Sequence, residues 1–451
     1  MTRTLYRAAL GLGTFWLSAG LLLSGCAPAG SPASAPVTGT TPGPGVPSTP
    51  ARSPIRISFL VFGDPPELRA FQQLVAEFQA REPGIVVELT HVPGPGEYRK
   101  RLAADFAAQA PPDVFLLNYR RYADFARRGV LEPLGPYLAR SQVLREADFY
   151  PQVLAPFRRE GTLVGLPQNA SSLVVYYNRN LFDSAQIPYP KRNWTWDDFV
   201  ETARKLTQDP DRDGVAEQYG LGTEVSLQRL APFLWQNGAD LVDDATHPTR
   251  LRLETPEARE AIQWFVDLRM DHRVTPGLVE EQAEDSESRF LHGRTAMFLN
   301  SRRGVPTYRE IRAFTWDVAP LPRRKRNAGI LHADGYFMPA AGRHKEAAWK
   351  FIEFALADAG QEVLAESGRT VPSLKRVAES SVFLAPTSAP ANSRAFLDTL
   401  AHARAVPVHP NWADVEELAS QELERAYYGQ VGVAAAIAGM IERTQEYLSA
   451  R

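Results

Sequence analysis

Apolar residues follow two different periods along the body of the chain. The run Ile55 to Phe62 is rich in β-branched and aromatic residues, which is typical of a buried strand. Between Glu67 and Gln79 apolar residues recur every three or four positions, which predicts a helix that ends before Pro83-Gly84. A strand, a helix and a strand are predicted next, at Ile85 to Leu89, Tyr98 to Gln109 and Asp113 to Leu117. This alternation predicts an α/β fold with a mostly parallel sheet.

The same two periods continue through the rest of the chain. Strand-like runs at Leu163 to Leu166 and Leu173 to Tyr177 flank the polar segment Pro167 to Ala170. Clear helical periods follow at Trp196 to Leu206, Pro256 to Met270, Lys345 to Leu356 and Ala413 to Tyr428. Ligands of such sheets sit beyond the carboxyl ends of the strands. Three loops are therefore candidates for a binding cleft: Gly63-Asp64, His91 to Gly96 and Asn118 to Arg121.

The first residues read as a targeting segment. Arg3 and Arg7 precede an apolar run from Ala8 to about Gly25, which is typical of a secretory signal peptide over residues 1–25. The order Leu23-Ser24-Gly25-Cys26 resembles a bacterial lipobox, so we expect Cys26 to be lipidated. The alternative is an uncleaved membrane helix with an incidental cysteine. Residues 26–53 are rich in Pro, Ser and Thr, which predicts an extended tether.

Composition and charge exclude several classes of protein. The 451 residues are 44% hydrophobic, enough for a sizeable core. Lys and Arg number 50 and Asp and Glu number 52, and this balance argues against nucleic acid as a partner. The single cysteine excludes a disulfide framework and a cysteine-cluster metal site.

The sequence contains no motif that requires a catalytic centre, a metal or a cofactor. GxSxG, HExxH, the P-loop lysine motif and a strand-linked GxGxxG are all absent, and the histidines are scattered. Asp209, Asp211, Asp213 and Gly214 have the spacing that opens a calcium loop, but its twelfth position is Gly220 instead of glutamate. A polar turn is the preferred interpretation. We therefore expect neither metal nor cofactor.

Short phrases in one fixed order indicate a family. They are PDVF at Pro112 to Phe115, Phe125 to Leu134, GLP at Gly165 to Pro167, YYNRNLF at Tyr176 to Phe182, WTWDDF at Trp194 to Phe199, Gln218 to Leu221, LWQNG at Leu234 to Gly238, Phe290 to Phe298, Val318 to Pro322 and Ala347 to Ile352. Each phrase alone is weak, but their order is specific. From about residue 55 to 430 the chain resembles the extracellular solute-binding proteins of bacterial sugar ABC importers, the group similar to maltose-binding protein.

The resemblance implies a two-lobed periplasmic-binding-protein fold of type II. A hinge that the chain crosses more than once would join the α/β lobes, with the solute in the cleft between them. Lobe one would comprise residues 54–166 and 331–357, and lobe two residues 167–330 and 358–451, with crossings near Pro167 to Ala170 and Ala328 to Ala333. Closure on the solute would shift a population between two states. The implied partners are the solute and the transmembrane subunits of a permease, and we expect a monomer anchored at the outer face of the membrane.

The resemblance also implies ligand-binding positions. They are Asp64, Asn118, Tyr119, Gln168, Asn169, Ser171, Trp235, Asn237, Tyr336 and Arg369. The chain departs from the family after Ala296-Met297-Phe298, where many sugar binders carry a tryptophan that stacks on the sugar. Here the order is Leu299-Asn300-Ser301-Arg302-Arg303.

The departure adds Asn300, Arg302 and Arg303 to the candidate site. Guanidinium groups bind carboxylate and phosphate through paired hydrogen bonds, so the solute could be an acidic sugar or a glycerophosphate-type compound. A neutral sugar, with both arginines facing solvent or paired with acids, is the open alternative.

Two other functions fit the sequence. A sensing subunit would pass ligand occupancy to a membrane receptor instead of a permease. A secreted carbohydrate-active enzyme would need two carboxyl groups across the scissile bond. The solute-binding interpretation is preferred, with no catalytic residues.

Overall fold

A computed structural model describes residues 53–384 and 387–449. Cys26 and the predicted signal segment lie outside the described residues, so the lipid anchor stays a prediction. No helix in these two ranges is both long enough and apolar enough to cross a membrane.

The first sheet has five strands. Strand Ile55–Val61 lies between two parallel neighbours, and the last two strands are antiparallel. In spatial order the strands are Ile85–His91, Ile55–Val61, Val114–Asn118, Asp334–Phe337 and Leu166–Pro167. The predicted parallel sheet is thus confirmed for its first three strands, and the sheet is mixed because the chain returns to it late.

Aromatic packing holds the first sheet against its helices. Phe59 is fully buried, and its ring centroid lies 5.7 Å from that of Phe71, 4.9 Å from that of Phe351 and 6.0 Å from that of Tyr336. These rings join helices Pro65–Arg81 and Lys345–Leu356 to the sheet. Edge-to-face pairs of this kind add to the area that each ring buries.

The second sheet has four strands, and every residue in them is buried. In spatial order they are Trp316–Ala319, Val174–Asn178, Thr295–Asn300 and Tyr219–Gly222. Helix Trp196–Leu206 packs on this sheet, and its Trp196 stacks on Trp264 with ring centroids 4.1 Å apart. Such continuously buried strands are typical of a sheet covered on both faces.

The remaining elements surround the two sheets. The other longer helices are Pro95–Ala107, Leu227–Gln236, Pro256–Met270, Asp358–Glu366, Trp412–Tyr427 and Val433–Ser449. Shorter helices are Ala123–Arg127, Gly135–Arg140, Pro151–Leu154, Arg179–Ser184, Leu278–Ala283, Ser286–Leu291, Val305–Tyr308, Lys375–Ala378, Ser381–Leu384 and Arg394–Leu400. Single 3-10 turns occur at Tyr119–Arg121, Glu146–Asp148, Ala155–Phe157 and Arg302–Gly304. Two-residue strands pair Gly329–Ile330 with Ala403–Arg404, Asn169–Ala170 with Val371–Pro372, and Arg158–Arg159 with Thr162–Leu163.

Each sheet, with the helices packed on it, forms the core of one half of the molecule, as the α/β two-lobed fold requires. Helix Asp358–Glu366, which the resemblance assigns to lobe two, packs against helices Pro65–Arg81 and Lys345–Leu356 beside the first sheet. The exact lobe boundaries remain a prediction.

Candidate functional site

A cleft of about 960 Å³ lies where the strand ends of the two sheets face each other. From the first sheet come Asp64, His91, Asn118, Arg120 and Arg121, which lie at or just after the carboxyl ends of its strands. From the second half come Ser226, Arg229, Glu287, Asn300 and Arg303. Asn169, Ser171, His332, Asp334 and Arg369 complete the lining along the segments that run between the sheets.

Two of these connecting segments are bound to each other through their backbones. The Ser171 N–H donates to the carbonyl of His332 at 2.7 Å, and the His332 N–H donates back to Ser171 at 2.9 Å. A third segment joins them where strand Val371–Pro372 pairs with Asn169–Ala170. Three connections thus meet at the floor of the cleft.

One wall of the cleft is an ion-paired group at the start of helix Pro65–Arg81. The guanidinium of Arg369 contacts the carboxylate of Asp64 and lies 2.7 Å from Oε2 of Glu67. Asp64 also caps the helix by accepting the Glu67 N–H. Burial raises the pKa of Glu67 to about 7, against the lowering effect of Arg369. Gly63 has φ +132°, and a Cβ there would lie 1.8 Å from Glu67 Oε2, so only glycine fits.

A second group fixes the polar floor. Nδ2 of Asn118 donates to Oδ1 of Asp334 at 3.1 Å, and Nδ2 of Asn169 donates to Oδ2 of the same residue at 3.3 Å. The Asp334 N–H donates in turn to Oδ1 of Asn169 at 3.1 Å. These bonds tie the end of strand Val114–Asn118 to two of the connecting segments.

A buried carboxylate links the first-sheet side of the cleft to the carboxyl-terminal helices. Glu416, on helix Trp412–Tyr427, accepts from Arg120 at 3.0 Å and from Arg121 at 3.1 Å. It also accepts from Gln228 at 3.2 Å and from the indole of Trp412 at 2.8 Å. We call Glu416 and these four donors the Glu416 latch.

The wall from the second sheet is a chain of polar contacts. Nδ2 of Asn300 donates to the hydroxyl of Tyr308 at 2.6 Å, and that hydroxyl donates to Glu287 at 2.6 Å. Arg229 forms an ion pair with Glu224 at 2.6 Å. The cleft therefore offers charged and polar groups from both halves of the molecule, held in place by their neighbours.

Comparisons with known proteins identify the family. The model of the bacterial extracellular solute-binding proteins matches residues 63–362, about two thirds of the chain. The chain belongs to the bacterial extracellular solute-binding protein family. Its members and the relatives below are binding proteins, not enzymes, which confirms the prediction of a non-enzyme.

Individual relatives agree with this assignment. A putative binding protein of Brucella abortus is 26% identical over 80% of this chain and 85% of its own length. The maltotriose-binding protein of Pyrococcus abyssi is 26% identical over 64% of this chain and 60% of its own length. An ABC substrate-binding protein of Listeria monocytogenes in complex with cycloalternan has the same fold, with a TM-score of 0.78 and 24% identity over 88% of this chain and all of that one. The predicted two-lobed α/β fold is confirmed.

Seven of the predicted ligand positions line the cleft of this solute-binding protein. They are Asp64, Asn118, Asn169, Ser171, Asn300, Arg303 and Arg369. They come together because most of them lie at strand ends or on the connecting segments. Ligands of α/β sheets bind beyond the carboxyl ends of the strands, and these positions meet that expectation.

Six other predicted positions do not line the cleft. Tyr119 is fully buried, and its hydroxyl donates to the carbonyl of Leu331 and accepts the Val406 N–H. Tyr336 lies in the core beside Phe59. Gln168 is 2% exposed, and its Oε1 accepts from Asn169.

The remaining three are occupied elsewhere in the second half. Trp235 is 2% exposed and lies under the guanidinium of Arg404. Nδ2 of Asn237 donates to the carbonyl of Glu257 at 2.7 Å. Arg302 is 1% exposed, because its guanidinium is packed between the rings of Phe383 and Phe396 at 4.3 and 4.9 Å. Of the two adjacent arginines, the fold thus presents only Arg303 to the cleft.

The cleft residues that were absent from the sequence-based list include Arg229, Glu287 and His332. Arg229 and Glu287 lie on helices, where a charged residue has no local pattern that distinguishes a cleft from solvent. His332 falls inside the predicted crossing near Ala328 to Ala333. Candidate residues were taken from the other crossing segment, and the same reasoning applied here would have included His332.

Aromatic rings are scarce in the cleft. Among the residues that line it, the phenyl and phenol rings are those of Phe62 and Tyr98, and Tyr98 is only 1% exposed. A sugar would therefore find one half-buried ring, Phe62, on which to stack.

The carboxylates of Asp209 and Asp211 accept backbone hydrogen bonds within a turn. The Gly214 N–H donates to Asp209 at 3.1 Å, and the Asp213 N–H donates to Asp211 at 3.2 Å. Oxygens of Asp209, Asp211 and Glu217 lie within 4.8 Å of one another. The backbone bonds agree with the polar-turn interpretation.

Proposed function

We propose that this solute-binding protein is the lipid-anchored receptor of an ABC importer for a carbohydrate or carbohydrate-like solute. The observation that carries the proposal is the polar cleft of about 960 Å³ with fixed side chains from both sheets. Its volume is at the upper end of the range for small-molecule sites. The maltotriose-binding relative supports the carbohydrate class.

Capture requires contacts to both halves of the molecule. A solute that touches Asn118 on one side and Asn300 on the other favours the closed state over the open one, since only the closed state makes both contacts. The closed form would then deliver the solute to the transmembrane subunits of the permease. The anchor at Cys26 would keep the receptor at the outer face of the membrane, and we propose that it works as a monomer.

Within this class we favour an anionic solute, such as an acidic sugar or a glycerophosphate-type compound. Arg303 lines the cleft, is exposed, and has no hydrogen-bond or ion-pair partner for its guanidinium among the described residues. The single accessible stacking ring is weak support for a neutral oligosaccharide.

A thermal-shift panel on a soluble form that starts near Ser53 tests the proposal. The panel pairs neutral mono- and oligosaccharides with uronates and glycerophosphodiesters. A ligand of the folded state at a hundredfold excess over its Kd adds about 2.7 kcal/mol to stability, so the melting temperature rises. A shift with anionic members supports the preferred class, and a shift with neutral sugars alone keeps the receptor but removes the anionic solute. Absence of a shift across the panel would contradict the carbohydrate proposal.

A further inference from the structure

Four nitrogen-bearing side chains meet in the cleft from four different elements. Arg120 follows strand Val114–Asn118, Arg229 lies on helix Leu227–Gln236, Arg303 follows strand Thr295–Asn300, and His332 lies on a connecting segment at the floor. All four line the cleft. We call them the Arg–His cluster.

Two members of the cluster have buried nitrogen atoms without a partner. Nε2 of His332 is shielded from solvent and has no hydrogen bond within the described residues. Arg229 is 7% exposed, and its Nε also has no partner there. Buried polar groups are nearly always satisfied in folded proteins, and an unpaired one costs about 1–3 kcal/mol. Both residues line the cleft, where a ligand can supply the missing partners.

The ion pairs of the cluster leave one guanidinium open to a ligand. Arg120 is balanced by Glu416, and Arg229 by Glu224, while Arg303 has no ion pair in the described part of the chain. A guanidinium without a counterion that lines a cleft favours an anionic ligand.

The other carboxylates of the cleft are hydrogen-bonded to groups other than Arg303. Asp334 accepts from two asparagines, and Glu287 accepts from Tyr308 and from Asn300. Asp64 and Glu67 are engaged by Arg369 on the opposite wall.

The arginines also determine the charge of the imidazole. Burial lowers the pKa of His332 well below its usual value, and the charges of Arg120, Arg229 and Arg303 lower it further. The imidazole is therefore neutral at pH 7 in the absence of an anion.

We propose that the Arg–His cluster is the subsite for a carboxylate or phosphate group of the solute, and that His332 takes up a proton when this group binds. The proposal rests on the receptor function proposed above. The anion offsets the arginine charges, so the imidazole accepts a proton from solvent at one ring nitrogen. The imidazolium then donates a hydrogen bond to an oxygen of the anion through Nε2.

Proton uptake has a defined sign. Binding raises the pKa of His332, so the complex holds more protons than the free protein at any pH between the free and bound values. Affinity for an anionic solute therefore increases as pH falls through this window, by up to about tenfold per pH unit. A neutral sugar shows no such dependence at this residue.

Calorimetric titration with matched probes tests the subsite. Glucuronate is compared with glucose and glycerol 3-phosphate with glycerol, so that each pair differs in the anionic group. Measurements with glucuronate, whose carboxylate stays ionised at pH 6.5, in two buffers of different ionisation enthalpy give the number of protons taken up by the protein. Sulfate, which does not titrate in this range, serves as a competitor for the anionic probe.

Two substitutions and two controls accompany the probes. His332→Gln keeps a hydrogen-bonding side chain but cannot be protonated, and Arg303→Gln removes the unpaired charge. We expect Arg303→Gln to weaken binding of the anionic probe at least about tenfold, and His332→Gln to abolish proton uptake and flatten the pH profile. His344→Gln and Arg312→Gln, at exposed positions outside the cleft, are expected to leave both readouts unchanged.

The outcomes separate the two proposals. Binding of an anionic probe without proton uptake, and with unchanged affinity in both substituted proteins, would overturn the subsite while the receptor function stands. Binding of glucose but not glucuronate would do the same. Failure of these four probes and of the whole saccharide panel to bind would overturn both.

Discussion

At the scale of single residues, the fold makes the carboxyl group of Glu67 hard to ionise. The side chain is buried at the start of helix Pro65–Arg81, and Arg369 supplies one partner on its open side. The absence of a Cβ at Gly63 leaves space for the carboxylate and for nothing larger. The pKa of Glu67 rises from its ordinary value of 4.5 to about 7, so the folded protein retains a proton that the unfolded chain releases.

This retained proton predicts a loss of stability with rising pH. Between pH 4.5 and 7 the folded state binds more protons at Glu67 than the unfolded state, so the free energy of unfolding falls as pH rises. We expect the wild-type protein to lose about 3 kcal/mol between pH 4.5 and 8 relative to Glu67→Gln, measured by urea unfolding at several pH values. Glu97→Gln, at an exposed position, is the control. Parallel plots of unfolding free energy against pH for the wild type and Glu67→Gln would contradict the prediction.

At the scale of elements, local signals explain which helices the sequence revealed. Helix Trp196–Leu206 is preceded by Thr195, whose hydroxyl accepts the Asp198 N–H while Asp198 accepts the Thr195 N–H. This capping box fixes the first turn, and the predicted bounds agree with the structure. Pro256–Met270 begins in the same way, with a threonine cap followed by proline.

The capping box predicts a measurable effect of removing the Thr195 side-chain hydroxyl. Thr195→Ala leaves the Asp198 N–H at the helix start without its side-chain acceptor, and we expect the free energy of unfolding to fall by about 1 kcal/mol. Thr246→Ala is the matched control, because this exposed threonine donates only through its backbone. Equal stability of the two variants would show that the box does not stabilise this helix.

Elements without a local signal were missed. Helix Leu227–Gln236 is buried on almost every side and contains Pro232 in its interior, where a proline argues against a helix. The cleft residues divide in the same way, into those with a local sequence signal and those without one. Asp64 and Asn118 could be predicted because they follow strands, whereas Arg229 reaches the cleft only through the packing of its helix. Arg302 and Arg303 are adjacent and look equivalent in sequence. The 3-10 turn Arg302–Gly304 places the side chain of Arg302 in the core and that of Arg303 at the cleft.

At the scale of the whole molecule, the Glu416 latch connects distant parts of the chain. Arg120 and Arg121 lie next to the first sheet, whereas helix Trp412–Tyr427 packs against helices Leu227–Gln236 and Pro256–Met270. The carboxylate is buried and accepts four hydrogen bonds, so removal of its charge would leave Arg120 without a counterion in a buried site. Movement of one half against the other must stretch or break these bonds.

The latch predicts a large effect from an isosteric change. We expect Glu416→Gln to lower the free energy of unfolding by about 3 kcal/mol, because a buried arginine loses its partner. Glu417→Gln, one residue further on the exposed face of the same helix, is expected to change it by less than about 0.5 kcal/mol. Denaturant unfolding measures both. Equal losses in the two variants would mean that the latch carries no special stability.

The distribution of tryptophan has an optical consequence for this solute-binding protein. No indole of the described residues lines the cleft, so a bound solute would not quench tryptophan emission by direct contact. The indole of Trp412 donates to Glu416 and is therefore coupled to the latch. The native tryptophan emission should thus change when the latch moves and should not respond to direct contact with the solute. A tryptophan introduced at Phe62, the half-buried ring of the cleft, would add a signal from the cleft itself, so comparison of the substituted and wild-type proteins would distinguish occupancy from closure.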